Sequence, residues 1–310
     1  MVRQDPMNTA SLAILLLFFA LAALASDKVS VTLDIYSARI NPLWHIEGDD
    51  RLQLLNLVRE LYKNNNHCGV IANKLGYRGF KIVDSSNAQC IRVINSKEAE
   101  EYLLQSYIKF KANEGSALND YGLNSVIQHV TSTIQSGITT IQESAQPLPR
   151  LSNIYVSGPD NVTEYNPDKW NNWEYQDWNN CYNYATDVLT NTFAQPGRGS
   201  GNESTAFTCE SAWKASKRDG LLVYSETTGP AFNKTPALGH YVSLVIWPDV
   251  DFHWYRKDYS GYYSHKPGSG FVTNFDSSEQ KIDSPSTADI SPYTQNCGYM
   301  IAIPSRLKIN

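Results

Sequence analysis

The sequence predicts an α+β protein in two parts, a small α+β domain followed by a helix that leads into an antiparallel sheet. Three observations predict it. In the first half, stretches alternating apolar and polar residues are interleaved with stretches of helical spacing. Gln146-Pro147-Leu148-Pro149 then interrupts the chain, and after it comes an Asn- and Trp-rich loop, a short helical pattern and a long strand pattern. The expected division is a signal peptide over 1–25, an N-terminal domain over 26–112, a linker over 113–150 and a second domain over 151–310.

The N-terminus sets the address. Leu12 to Ala25 is a continuous apolar run too short to span a bilayer as an ordinary helix, and Ala23-Leu24-Ala25 supplies small residues for cleavage. Arg3 is offset by Asp5, and Met7 is an alternative start that leaves the address unchanged. No second apolar stretch of spanning length follows, so a secreted, extracellular protein without a membrane span is expected. Sequons at Asn161, Asn202 and Asn233 fit the same compartment, because they are glycosylated only in the secretory lumen.

Val29 to Tyr36 alternates and predicts a half-buried strand that ends in a turn at Asn41-Pro42. Leu52, Leu55, Val58, Leu61 and Tyr62 predict a helix over 49–62. Short strands are expected over 77–83 and 90–94, then a helix over 96–109. In the linker, Val126, Val130, Ile134, Ile138 and Ile141 recur at helical spacing and predict one narrow amphipathic helix.

Five cysteines remain after signal cleavage, an odd number in an oxidising compartment. Cys68 and Cys90 are near neighbours in the first half and are expected to close a local loop. Cys181, Cys209 and Cys297 then leave one odd thiol among them. A net charge of -5 and no basic cluster exclude nucleic acid as a natural partner. The sequence sets no oligomeric state.

The chemistry-bearing residues lie in the second half. Trp170 to Asn180 runs straight into Cys181, and Cys181, Ala185, Val188, Leu189 and Thr192 share a helical face, with Asp177, Asn179 or Asn180 as N-cap. A thiol in a first helical turn faces the positive end of the helix dipole, which favours the thiolate. Gly239-His240 opens a strand in which His240, Val242, Leu244 and Ile246 share one face, so an imidazole stands at the end of an apolar row where it could act as general base. A zinc set of His240, His253 and His265 lacks any close ligand pair, and no metal or cofactor is expected.

These residues resemble the NlpC/P60 and CHAP branch of papain-like cysteine hydrolases, in which a Cys at a helix start precedes a His at a strand start. The resemblance covers about 179–303, and Asn-Asn-Cys-Tyr-Asn-Tyr-Ala departs from the Asp-Cys-Ser-Gly usual in NlpC/P60 enzymes. It implies a papain-like fold and a Cys/His amide hydrolase, with Cys181 as nucleophile and His240 as base. The third, orienting residue would be His253 by the resemblance, or Asp258 if Pro248-Asp249 makes a tight hairpin that sets His240 across from Lys257. Asn179 or Asn180 would help hold the oxyanion; Trp178, Trp254, Tyr255 and His265 would touch a peptide or peptidoglycan-like substrate; and Cys209 and Cys297 would be bridged. The whole chain also resembles a secreted two-domain family that joins a segment like Leu33 to Pro42 (LDIYSARINP) to this second domain, with no activity implied. A catalytically silent binding module on the same scaffold is the alternative expectation.

Overall fold

The computed structural model describes residues 28–63, 68, 74–86, 89–115, 121–138, 160 and 162–310. The signal peptide expected over 1–25, the boundary near 146–149, Ile141 and the Asn161 sequon lie outside the described residues. The fold is α+β, with helices packed on two antiparallel sheets.

The first sheet has the order β2-β1-β3-β4, from β1 (Lys28–Leu33), β2 (Leu43–Glu47), β3 (Phe80–Asp84) and β4 (Cys90–Val93). Its alternation is the expected one: Val29, Val31 and Leu33 of β1 and Phe80 and Ile82 of β3 are buried. β1 stops earlier than its pattern implies because Asp34 turns inward. Its carboxylate receives Arg78 Nη2 at 2.6 Å, Arg92 Nη1 at 2.7 Å and Asn41 Nδ2 at 3.0 Å. Burial alone would raise its pKa, but the two guanidiniums outweigh burial and hold it at about 2. β2 is unanticipated; only Trp44 and Ile46 face the core, too few to reveal a period.

The helix expected over 49–62 is two, α1 (Gly48–Leu57) and α2 (Arg59–Lys63), separated at buried Val58. α3 (Lys97–Asn113) lies against α1 and α4 (Tyr121–Ser136). Within the expected linker, α4 is a core element. Val126, Val130 and Ile134 are buried, and the His129 ring accepts the Tyr77 N–H while packing edge-on against Trp247 in the second sheet at 5.4 Å.

The second half carries α5 (Pro167–Trp170), α6 (Cys181–Thr186) and α7 (Cys209–Arg218), with β5 (Leu222–Ser225), β6 (His240–Trp247), β7 (Asp251–Lys257), β8 (Tyr263–His265) and β9 (Gln295–Ala302) in the order β5-β9-β6-β7-β8. β6 is buried on both faces. Val242, Leu244 and Ile246 pack with Cys181, Ala185 and Ala212 under α6 and α7. Val245 and Trp247 join a cluster that includes Val31, Phe80, Leu103 and Val130, so one continuous core crosses from the first sheet to the second.

The segment Leu33 to Pro42 runs along that seam. Asn41 Oδ1 accepts the Ile35 and Tyr36 N–H groups, folding the segment back on itself. The Asp251 carboxylate accepts the N–H of Ser37 at 2.7 Å and of Ala38 at 3.3 Å, and Ala38 O accepts from Asn180 Nδ2 and Gln195 Nε2. The signature segment is thus structural mortar between the sheets.

Candidate functional site

α6 begins at Cys181 because Asn180 caps it. Asn180 Oδ1 accepts the N–H of Tyr182 and Asn183, and Asn183 Oδ1 returns a bond to the Asn180 N–H, a closed capping box. The helix lasts six residues and stops at Asp187, whose φ is +56°. Val188, Leu189 and Thr192, expected on its face, lie beyond it. Asn183 Nδ2 donates to the Val188 carbonyl and to Thr190 Oγ1 instead, pulling the chain out of helix.

Cys181 is fully buried. Burial pushes its thiol well above the usual value, and the Asp251 carboxylate adds to the rise; the Trp254 N–H and the Lys266 ammonium oppose it without prevailing. The thiol is thus free, sealed from solvent and biased toward its protonated form.

The expected base hydrogen-bonds elsewhere. Gly239, at φ +73°, admits the bend that brings the chain into β6, and a side chain there would collide with the Ala302 carbonyl. His240 follows, fully buried, and its Nε2 donates to the carbonyl of Ala185 at 2.6 Å, one helical turn beyond Cys181. Its Nδ1 is buried without a hydrogen-bond partner. Burial, and next the nearby Arg256 charge, lower its pKa to about 4. The ring is a neutral prop beneath α6.

Neither orienting candidate reaches it. His253 pairs with Val245 across β6 and β7, so it stands on the sheet face opposite His240. It belongs to a different chain of bonds: His265 Nε2 donates to Phe275 O at 3.0 Å, which leaves His265 Nδ1 as acceptor for His253 Nε2 at 2.9 Å. The register is shifted by one residue from the expected hairpin, with Val242 opposite Arg256. Asp258 therefore falls level with His240 but beyond the end of β7, and its carboxylate takes Arg256 Nε at 3.0 Å rather than an imidazole.

The oxyanion candidates are committed as well. Asn179 Nδ2 is bound to Tyr175 O and Asn191 Oδ1, and Asn180 Nδ2 to Ala38 O and Ala194 O; both residues are fully buried. Of the four substrate-contact candidates, Trp254 and Tyr255 are fully buried, His265 is buried, and Trp178 alone is exposed. Trp254 packs on Tyr182 at 5.4 Å as core.

Two residues at the centre of this region carry no signal in the sequence. Lys266 is fully buried, its Nζ donating to Gln176 O at 2.6 Å and Gly268 O at 2.7 Å, and burial brings it down to about 7. Asp251 is raised to about 6 by burial, although Tyr293 Oη and the Ser37 N–H donate to it. Both sit in stretches that read as turn or aromatic strand, where a single charge looks like surface.

Cys68 is bridged to Cys90 and Cys209 to Cys297, with Cα separations of 5.4 and 5.3 Å, leaving Cys181 free. Asn202 and Asn233 are exposed. Among the described residues no three His, Cys, Asp or Glu side chains group as a metal site, and no helix is long and apolar enough to cross a membrane.

No protein-family model matches the chain, and no solved structure does. Insoluble matrix shell protein 1 from Ruditapes philippinarum is 41% identical over 150 residues, which cover 95% of that protein and 48% of this chain. At that identity across nearly the whole of the relative, the chain belongs to the family of insoluble matrix shell protein 1.

Proposed function

We propose that the protein is a catalytically silent structural and binding module of an extracellular organic matrix, on a helix-plus-antiparallel-sheet scaffold of papain-like order. The observation that carries the reading is the fate of the Cys/His pair: Cys181 is sealed and protonated, and His240 is spent on the Ala185 carbonyl. A Cys/His hydrolase needs a substrate-reachable thiolate within hydrogen-bond range of its base. Here the same residues serve packing, and the two disulfides and the buried Asp34 ion cluster suit a protein that endures outside the cell. The relative's name, a shell matrix protein, supports the extracellular and structural parts of the reading.

The test is enzymatic. The secreted protein and a Cys181→Ala variant are incubated with peptidoglycan, casein and small amide substrates, and released amines are measured. The expected result is no release above the buffer blank for either protein. Amide cleavage by the wild type that Cys181→Ala abolishes would restore the hydrolase reading.

A further inference from the structure

The loop from Trp170 to Asn180 presents two bare indoles on a rigid support. Trp173 is 82% exposed and Trp178 60% exposed, and among the described residues neither ring stacks on another ring or on a cation. Trp170, by contrast, is buried edge-on against Tyr184 at 5.3 Å and roots the loop.

The backbone between the indoles is held closely. Asn172 O accepts the N–H of Tyr175 and Gln176, both at 2.9 Å, and Asn172 Oδ1 accepts the Glu174 N–H. Gln176 Nε2 donates to Ser269 O, Phe193 N–H donates to Trp178 O at 2.8 Å, and Asn179 Nδ2 donates to Tyr175 O. The buried Lys266 ammonium is spent on the Gln176 carbonyl. Leaving the two indoles in water forgoes the stabilisation that their burial would give. The rigidity of the loop lowers the entropy lost when a ligand lands on the rings.

We infer that Trp173 and Trp178 form a stacking platform for an uncharged or amino-sugar polysaccharide, an inference that rests on the non-catalytic reading above and names its ligand. Flat indole faces match the C–H faces of pyranose rings, and the exposed carboxylates of Glu174 and Asp177 supply acceptors for hydroxyl groups nearby. Charge narrows the class. From Asp168 to Asn180 the chain carries Asp168, Glu174 and Asp177 against Lys169 alone, and Lys169 is paired with Asp187. Sulfated or carboxylated polymers are repelled by that balance. An extended peptide is disfavoured too, since residues 171–178 are bends, turns and a 3-10 turn that offer no strand edge to pair with.

The experiment is co-sedimentation of the full secreted chain with microcrystalline cellulose, chitin and cross-linked dextran sulfate, beside Trp173→Ala, Trp178→Ala and the double variant. The wild type is expected to sediment with cellulose or chitin and not with dextran sulfate. Each single variant should weaken retention roughly tenfold and the double variant should abolish it, with thermal unfolding unchanged because both rings are exposed. Retention that survives in the double variant, preference for dextran sulfate, or no retention on either uncharged polymer would overturn the inference. Soluble sugar released during incubation would overturn the non-catalytic reading instead, so the two fail separately.

Discussion

The carboxylate of Asp251, in the second sheet, accepts the backbone N–H of Ser37, from the segment that follows the first, at 2.7 Å. That bond, with the Ala38 N–H and the 2.6 Å bond from Tyr293 Oη, fastens the seam through one buried side chain. Asp251→Ala strands all three donors in the core and is expected to cost about 3 kcal/mol or more. Asp251→Asn keeps an acceptor and should cost about half as much. Urea unfolding of the two variants checks the order, and equal losses would assign the effect to packing alone.

Three buried histidines and the half-buried His129 set the pH response. Burial first, with nearby cations adding at some of them, lowers His129, His240 and His265 to about 4, and His253 is lowered well below its ordinary value. The unfolded chain binds these protons near pH 6.5 and the folded one does not, so their contribution is complete above pH 6.5 and is lost as pH falls toward 4. Asp251, raised to about 6, works in the opposite sense over part of that range. Counting the three histidines with values and Asp251, stability should fall by about 4 kcal/mol between pH 7 and pH 5. Denaturant midpoints across that range test it; a flat profile would contradict the burial of these rings.

The two disulfides should differ in worth. Cys209–Cys297 closes 88 residues and Cys68–Cys90 closes 22. Loop entropy then gives about 4.6 and about 3.4 kcal/mol. Replacing both Cys209 and Cys297 with serine should lower the thermal midpoint more than the Cys68/Cys90 pair does, in scanning calorimetry under non-reducing conditions.

How much of this was legible depended on whether a residue's role was periodic. The alternation of Val29, Val31 and Leu33 and the spacing of Val126, Val130 and Ile134 announce their faces, because burial repeats along the element. The apolar row that begins at His240 was readable for the same reason. The use of that imidazole was not: whether Nε2 meets a thiol or a carbonyl depends on how far α6 runs, and Asn183 ends α6 through bonds to residues that pattern cannot weigh. One residue of register in the β6–β7 hairpin likewise decides where Asp258 lies, and strand alternation puts His253 on the far face. Leu33 to Pro42 was visible as a signature, yet its purpose is a set of contacts more than two hundred residues away in sequence.

Cys181 is fully buried, and its iodoacetamide labelling rate in the native protein from pH 6 to pH 9 tests directly whether it is a sealed core thiol. Cys181 is expected to label only after denaturation, at every pH in that range, with Cys209 and Cys297 recovered as a bridged peptide. Rapid native labelling with a midpoint below that of an ordinary free thiol would contradict it and return Cys181 to the role of a nucleophile.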